Sequence, residues 1–237
     1  KTYQIPCDRG GFSHNKNIDA IDPTAMVDGT KNINLHQGAR GKRGGTSKYN
    51  STAIVANADI MGLYNYQKED GTNYLVAATT DGKTWYSDLA GAASFAAIDT
   101  GLATAAYFDF ETVDDVLFIA IEGSTPRTWS GSSTSTAMTD IPTDWTGTNF
   151  PKQFVRHGYG ASEGVWALGF ADGTCYRCQD DDYDDFSDDD VTTIKITVGH
   201  GAGIVGGFEY GARLFAVGKQ QVFIIDDTDA DKTKWGY

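Results

Sequence analysis

Residues 164–227 hold the phrase on which the fold turns: GVWALGFADGTCYRCQ (164–179), an acidic loop, TIKITVG (193–199), then GGFEYGARLFAVGKQQVFIID (206–226). Apolar residues alternate with others in each short run: Val165 and Ala167, Leu214 and Ala216, Val222 and Ile224. A period of two marks a strand with one buried face. Glycine-containing pairs, Asp172-Gly173, Gly206-Gly207 and Gly218-Lys219, separate the runs and read as hairpin turns.

The phrase recurs. Tyr74–Ala78, a turn at Asp81-Gly82 and Lys83–Ser87 form one copy, and Val116–Ile121, a turn near Gly123 and Arg127–Ser130 form another. Val165–Phe170 with Thr174–Arg177 is a third, and Leu214–Val217 with Gln221–Ile225 a fourth. The copies lie roughly 45 residues apart, the period of a four-stranded propeller blade. Phe95 trails Trp85 by about ten residues, as Phe186 trails Tyr176, which keeps the same register. A sheet this small needs a neighbour on each side, so the repeat predicts stacked or radial packing. The expected fold is all-β, with β-propeller-like repeats of small antiparallel sheets.

Composition agrees. The 237 residues carry 28 Gly against 5 Pro, with 40% apolar and 12% aromatic residues, which suits a packed domain with many tight turns. The formal net charge is −13, the wrong sign for general nucleic-acid binding, and the surface is expected to repel DNA. Three cysteines, Cys7, Cys175 and Cys178, make no disulfide framework, so synthesis in a reducing cytoplasm is expected. No run approaches the roughly 18 apolar residues of a membrane-spanning helix, and no secretory leader pattern opens the chain. The chain opens at Lys1 and closes at Trp235-Gly236-Tyr237. About four blades make a small propeller, so a longer parent is expected.

Residues 1–50 are rich in Gly, Asn, Asp and Lys with scattered apolar positions, and read as an extended N-terminal arm. The propeller-type domain then occupies 51–237. The arm ends in the one dense basic patch, Arg40-Gly41-Lys42-Arg43-Gly44-Gly45. Beside an acidic body, Arg40, Lys42 and Arg43 are expected to make a contact within or between subunits. Ser130–Thr136, a run of Ser, Gly and Thr, reads as a mobile turn.

Several features invite chemistry. Asp180, Asp181, Asp182, Asp184, Asp185, Asp188, Asp189 and Asp190 crowd one loop and offer oxygen ligands to a hard cation such as calcium. The central Gly and terminal Glu of an EF-hand are missing, so a solvated or partner-facing loop is the preferred reading. Cys175-x-x-Cys178 has zinc-like spacing, yet only His157 and His200 stand as distant further ligands, and residues three apart on a strand face opposite ways. Thr79–Trp85 nears an Asp-box turn, a structural device. No carboxylate pair, Gly-x-Ser-x-Gly elbow or phosphate loop is nominated, so neither an enzyme nor a cofactor is expected. The recurring aromatic residues are expected to serve packing between blades, although a cleft lined by Trp85, Trp129 and Trp166 would instead favour a carbohydrate-binding or carbohydrate-active propeller, a receptor-binding component.

Two groups of residues carry a family resemblance. The first is Gly10-Gly11-Phe12, Ile21-Asp22-Pro23, Met26-Val27, Asn32, Leu35, Gly38 and Lys42-Arg43-Gly44-Gly45-Thr46. The second is Phe150-Pro151-Lys152, Val165-Trp166-Ala167, Phe186 and Arg213–Asp226. Together they resemble β-propeller tail proteins of tailed bacteriophages, of the tail hub or nozzle type. The resemblance implies a structural virion protein in the tail, assembled in the host cytoplasm and surrounding the path of DNA exit. Its implied partners are other copies of itself in a ring and portal, adaptor or other tail proteins, with no tight hold on nucleic acid.

Overall fold

The computed structural model describes residues 12–13, 26–27, 33–36, 39–42, 49, 53–90, 94–158, 163–180, 182–187, 191–197, 203–229 and 231–237. The chain divides into two compact units, Lys1–Tyr49 and Asn50–Tyr237. In the first, β1 (Phe12–Ser13) pairs in parallel with β2 (Met26–Val27), and β3 (Ile33–His36) antiparallel with β4 (Ala39–Lys42). The stretch read as a plain extended arm therefore contains two short strand pairs.

The second unit is a succession of small antiparallel sheets. Blade 1 comprises β5 (Ile60–Gln67), β6 (Asn73–Thr79), β7 (Lys83–Asp88) and β8 (Ala96–Thr100). Blade 2 comprises β9 (Phe108–Val113), β10 (Val116–Ile121), β11 (Ser124–Trp129) and β12 (Thr136–Ala137). Blade 3 comprises β13 (Gln153–His157), β14 (Gly164–Leu168), β15 (Thr174–Arg177) and β16 (Thr192–Lys195). Blade 4 has three strands, β17 (Ile204–Tyr210), β18 (Arg213–Gly218) and β19 (Val222–Ile225). After β19, a single 3-10 turn at Lys232–Lys234 brings the chain back so that Gly236 bonds both ways with Asp226. The all-β, propeller-like expectation is met, and each repeat copy found in the sequence is the hairpin of a blade's second and third strands.

Blades 1 and 3 use one turn. Gly82 and Gly173 both adopt positive φ after an aspartate. Their carbonyls accept from Leu102 and Ile196, in the loops after each fourth strand. A Cβ on either glycine would lie 2.3 Å from the carbonyl oxygen it already crowds, Leu102 O or Ile196 O. Only glycine supplies both the left-handed backbone and the close approach. Asp81 and Asp172 close these turns, accepting from Thr79 and Lys83 in blade 1 and from Thr174 and Lys195 in blade 3.

Gly206-Gly207 is not a turn. Both residues lie inside β17, beside a register shift between Ile204 and Gly206. A Cβ on Gly207 would meet the Leu168 side chain at 2.4 Å, so the glycine lets blade 4 approach blade 3.

The first strands, β5, β9, β13 and β17, pack side by side in that order, and the later strands of each blade fan away from them. Three apolar cores fill the seams. Tyr66, Val76 and Ile98 of blade 1 meet Phe108, Phe110, Leu117 and Trp129 of blade 2. Phe118 and Ala120 of blade 2 meet Phe154, Val165 and Tyr176 of blade 3, with Trp145 and Phe186 from the flanking loops. Trp166, Leu168 and Cys175 of blade 3 meet Ile204, Leu214 and Ile225 of blade 4. Each blade thus turns a forward face to the next and a backward face to the one before, because alternate side chains on a strand point to opposite sides. The succession ends open: β17 and β5 make no comparable packing, and Leu63 on β5 and Tyr210 on β17 are exposed.

Candidate functional site

The row of first strands presents four free sheet edges along one wall, and unpaired edge amides would be costly if left bare. The chain caps them across each seam. The Thr112 N–H donates to the Tyr64 hydroxyl (3.1 Å), from blade 2 to blade 1. The Gly207 N–H donates to the Gln153 Oε1 (2.7 Å), from blade 4 to blade 3. At the middle seam the acceptors are carboxylates: Asp109 and Glu111 on β9 face the backbone N–H groups of Phe154 and Arg156 on β13.

Those carboxylates are expensive to ionise. Burial pushes Asp109 up to about 6 and Glu111 up to about 7, and the backbone donors only partly offset it. Neighbouring groups continue the theme. Arg156 pairs with Glu163, which raises the guanidinium further above its ordinary value. His157, buried at the end of β13, sits between Glu209 (Nδ1, 2.9 Å) and Asp227 (Nε2, 3.2 Å). Burial pulls the imidazole down, but the two carboxylates outweigh it and its pKa is raised. With both ring nitrogens engaged, His157 clamps blade 3 to blade 4 and has no free nitrogen for proton transfer.

Two hollows open on this wall. One, of about 480 Å³, is lined by Glu111, Gln153, Arg156, Glu163, Gly207 and Glu209. The other, of about 420 Å³, is lined by Tyr107, Asp109, Glu122, Lys152, Gln153 and Val205, with Lys152 paired to Glu122 at 2.8 Å. The wall is therefore capped, mostly acidic and stiffened by side chains that span its seams.

The acidic loop does different work. Asp180 bonds the buried guanidinium of Arg177 (2.6 Å) and Lys232 (2.8 Å), tying blade 3 to the C-terminal segment. Trp235 from that segment lies over Arg177 at 5.4 Å and beside Trp166. Asp184 is raised to about 6 by its hydrogen bond with Asp182 and then by burial. Asp185 accepts from the Ser187 N–H and Phe186 is buried. Asp181, Asp188, Asp189 and Asp190 lie outside the described residues, as does Arg43, and for Arg40 and Lys42 the description extends only to their place on β4.

Among the described residues no group of three or more His, Cys, Asp and Glu is placed to hold a metal. Cys175 and Cys178 are free and buried in different cores, on opposite faces of blade 3, and His157 is engaged elsewhere. Ser130–Thr136 is more than a mobile turn: Ser135 is buried, donates to Asp99 across the first seam and accepts from Arg127 within blade 2. The tryptophan cleft does not form, since Trp129 and Trp166 are enclosed in separate cores. The roles of Asp109, Glu111, His157 (considered only as a distant zinc ligand) and Arg177 were missed from sequence because each has its meaning only through partners on another strand or blade.

No family model matches the chain, and no curated protein matches it. Solved structures do, by shape. Raptor from Chaetomium thermophilum aligns over 74% of this chain and 16% of its own, at 13% identity and a TM-score of 0.51. The computationally designed Ika4 protein aligns over 73% of this chain and 94% of its own (13% identity, TM-score 0.48). BamB from Moraxella catarrhalis aligns over 71% and 44% (13% identity, TM-score 0.41). At such identities the likeness speaks for the fold alone. Among the described residues no helix is long and apolar enough to cross a membrane.

Proposed function

We propose that this protein is a structural component of a tailed-phage virion, placed in the tail hub or nozzle with copies arranged about the tail axis. The observation that carries the reading is the wall of first strands, whose edge amides are capped by Tyr64, Gln153 and the carboxylates of Asp109 and Glu111. Such a wall resists shear because sliding one blade past another breaks both apolar packing and cross-seam bonds. Its acidic lining and the net charge of −13 favour a surface that leaves passing DNA unbound. The sequence resemblance to phage tail proteins supplies the setting.

Mass spectrometry of purified particles made with this gene, followed by gold labelling of the chain, tests the placement. Label clustered at the tail end is the expected result; a chain absent from purified particles would sink the idea. The carbohydrate-binding alternative loses its aromatic platform, because Trp129 and Trp166 are buried.

A further inference from the structure

The two hollows on the wall follow one plan. In each, a carboxyl of β9 stands beside an ion pair: Glu111 beside Arg156–Glu163, and Asp109 beside Lys152–Glu122. Gln153 belongs to both linings and, bonded to the Gly207 N–H at 2.7 Å, forms the sill between them. In both pairs the cation is already taken by the other carboxylate, and Glu209 in the larger hollow is taken by His157. Glu111 and Asp109 are left with backbone N–H donors and no ion pair among the described residues. A half-buried carboxylate without a countercharge is where an added cation gains most.

The shape of the site says which cation. Volumes of about 480 and 420 Å³ suit a molecule rather than a bare ion. Asp109 and Glu111 are two residues apart on one strand, which sets them about 7 Å apart along it. A calcium ion instead draws its oxygens to within about 2.6 Å of one centre, and no such group converges among the described residues. Val155 in one hollow and Val205 in the other add apolar surface for a hydrocarbon chain.

We propose that this wall binds an aliphatic diamine, with one ammonium group in each hollow and the methylene chain crossing Gln153. Two sources carry such a pair of charges. One is a free diamine; the other is a pair of lysines two apart on an extended segment of another protein, whose side chains repeat at the same spacing of about 7 Å. Both hollows lie between blades 2, 3 and 4, and the binding is independent of the virion assignment.

Isothermal titration calorimetry of the whole chain at low salt tests it, with putrescine, butylamine and a capped peptide holding two lysines two apart as probes. Putrescine is expected to bind one per chain, at least about tenfold tighter than butylamine, because its second ammonium is tethered beside the second hollow. Glu111→Gln and Asp109→Asn are each expected to weaken putrescine about tenfold, and the two together about a hundredfold. The amides still accept from the β13 backbone, and near-UV circular dichroism checks that the fold is kept. Glu69→Gln with Asp59→Asn removes as much charge from exposed positions beside blade 1 and is expected to leave the affinity unchanged. A peptide that binds tighter than putrescine, with the same loss in the Glu111→Gln, Asp109→Asn variant, would name a partner's lysines as the occupant. No binding of either dication, putrescine no tighter than butylamine, or an equal loss in the blade 1 control would each overturn the proposal.

Discussion

The seam between blades 1 and 2 and the seam between blades 2 and 3 occupy equivalent places in the fold but are built from different chemistry. The first packs Trp129 against Tyr66, Tyr74 and Tyr86, with ring centroids 5.1 to 5.5 Å away. Its one deeply buried carboxylate, Asp99, is held by Thr84 (3.2 Å), by Ser135 and by Arg127 (3.5 Å). The second seam packs Phe118, Phe154, Trp145 and Phe186, and encloses Asp109 and Glu111 with backbone donors as their main support. A closely paired charge tolerates burial better than one supported mainly by neutral donors. In the second seam the raised carboxylates make the packing sensitive to protons.

Removing the aromatic key of the second seam has the largest expected effect. Trp145 touches Phe170, Tyr176 and Phe186, with centroids 5.3 to 5.5 Å away. Trp145→Ala is expected to lower stability by about 4 kcal/mol through cavity formation, read from the urea midpoint. In the first seam the matching break is Asp99→Ala, which removes the buried carboxylate that Arg127, Ser135 and Thr84 face. It is expected to cost about 3 kcal/mol, while the double variant Asp99→Leu with Arg127→Leu costs much less, because neither charge is left without its partner. If single and double variants cost the same, the first seam is not held by that pair.

The part of the molecule these variants probe was only half legible. Middle hairpins such as β6–β7 and β14–β15 stood out because they alternate cleanly and are punctuated by Asp-Gly turns. First strands did not. Phe108–Val113 reads FDFETV, which looks like a strand with one wet face, yet its carboxylates turn toward the next blade. Gly206-Gly207 looked like a turn because the sequence does not show that Leu168 lies against that backbone. Buried polar positions were hidden for a related reason. Asp99 and Ser135 are 36 residues apart, and His157 and Asp227 are 70 apart. Local pattern reports the period of a strand; it does not report which charges a neighbouring blade will enclose.

The second seam's carboxylates sharpen the contrast through pH. A carboxyl raised in the folded state adds stability in full below its unfolded pKa, and that term is lost as pH rises through the folded value. For Glu111 the window runs from 4.5 to about 7, and for Asp109 from 3.8 to about 6. Replacing both, Glu111→Gln with Asp109→Asn, is expected to change little at pH 4 and to stabilise the protein at pH 8 by roughly 2 kcal/mol. The amide oxygens still accept from the β13 backbone without a charge to desolvate. Urea midpoints at the two pH values measure it; equal shifts at both would mean that burial of charge is not what distinguishes this seam.

The third seam offers the smallest and opposite effect. His157 gains carboxylate partners on folding, and its pKa rises despite the burial that alone would lower it. Its stabilising term is therefore complete below the unfolded value of 6.5 and is lost as pH climbs through the higher folded value. Glutamine keeps a donor for one carboxylate and cannot take up the proton. His157→Gln is expected to cost about 1 kcal/mol at pH 5.5 and markedly less at pH 9. Blades 3 and 4 would then loosen with alkali for want of a proton, while blades 2 and 3 loosen over a lower range for want of two. A His157→Gln variant whose deficit is constant from pH 5.5 to 9 would show that the clamp acts by shape alone, with Glu209 and Asp227 serving only as neutral-range acceptors.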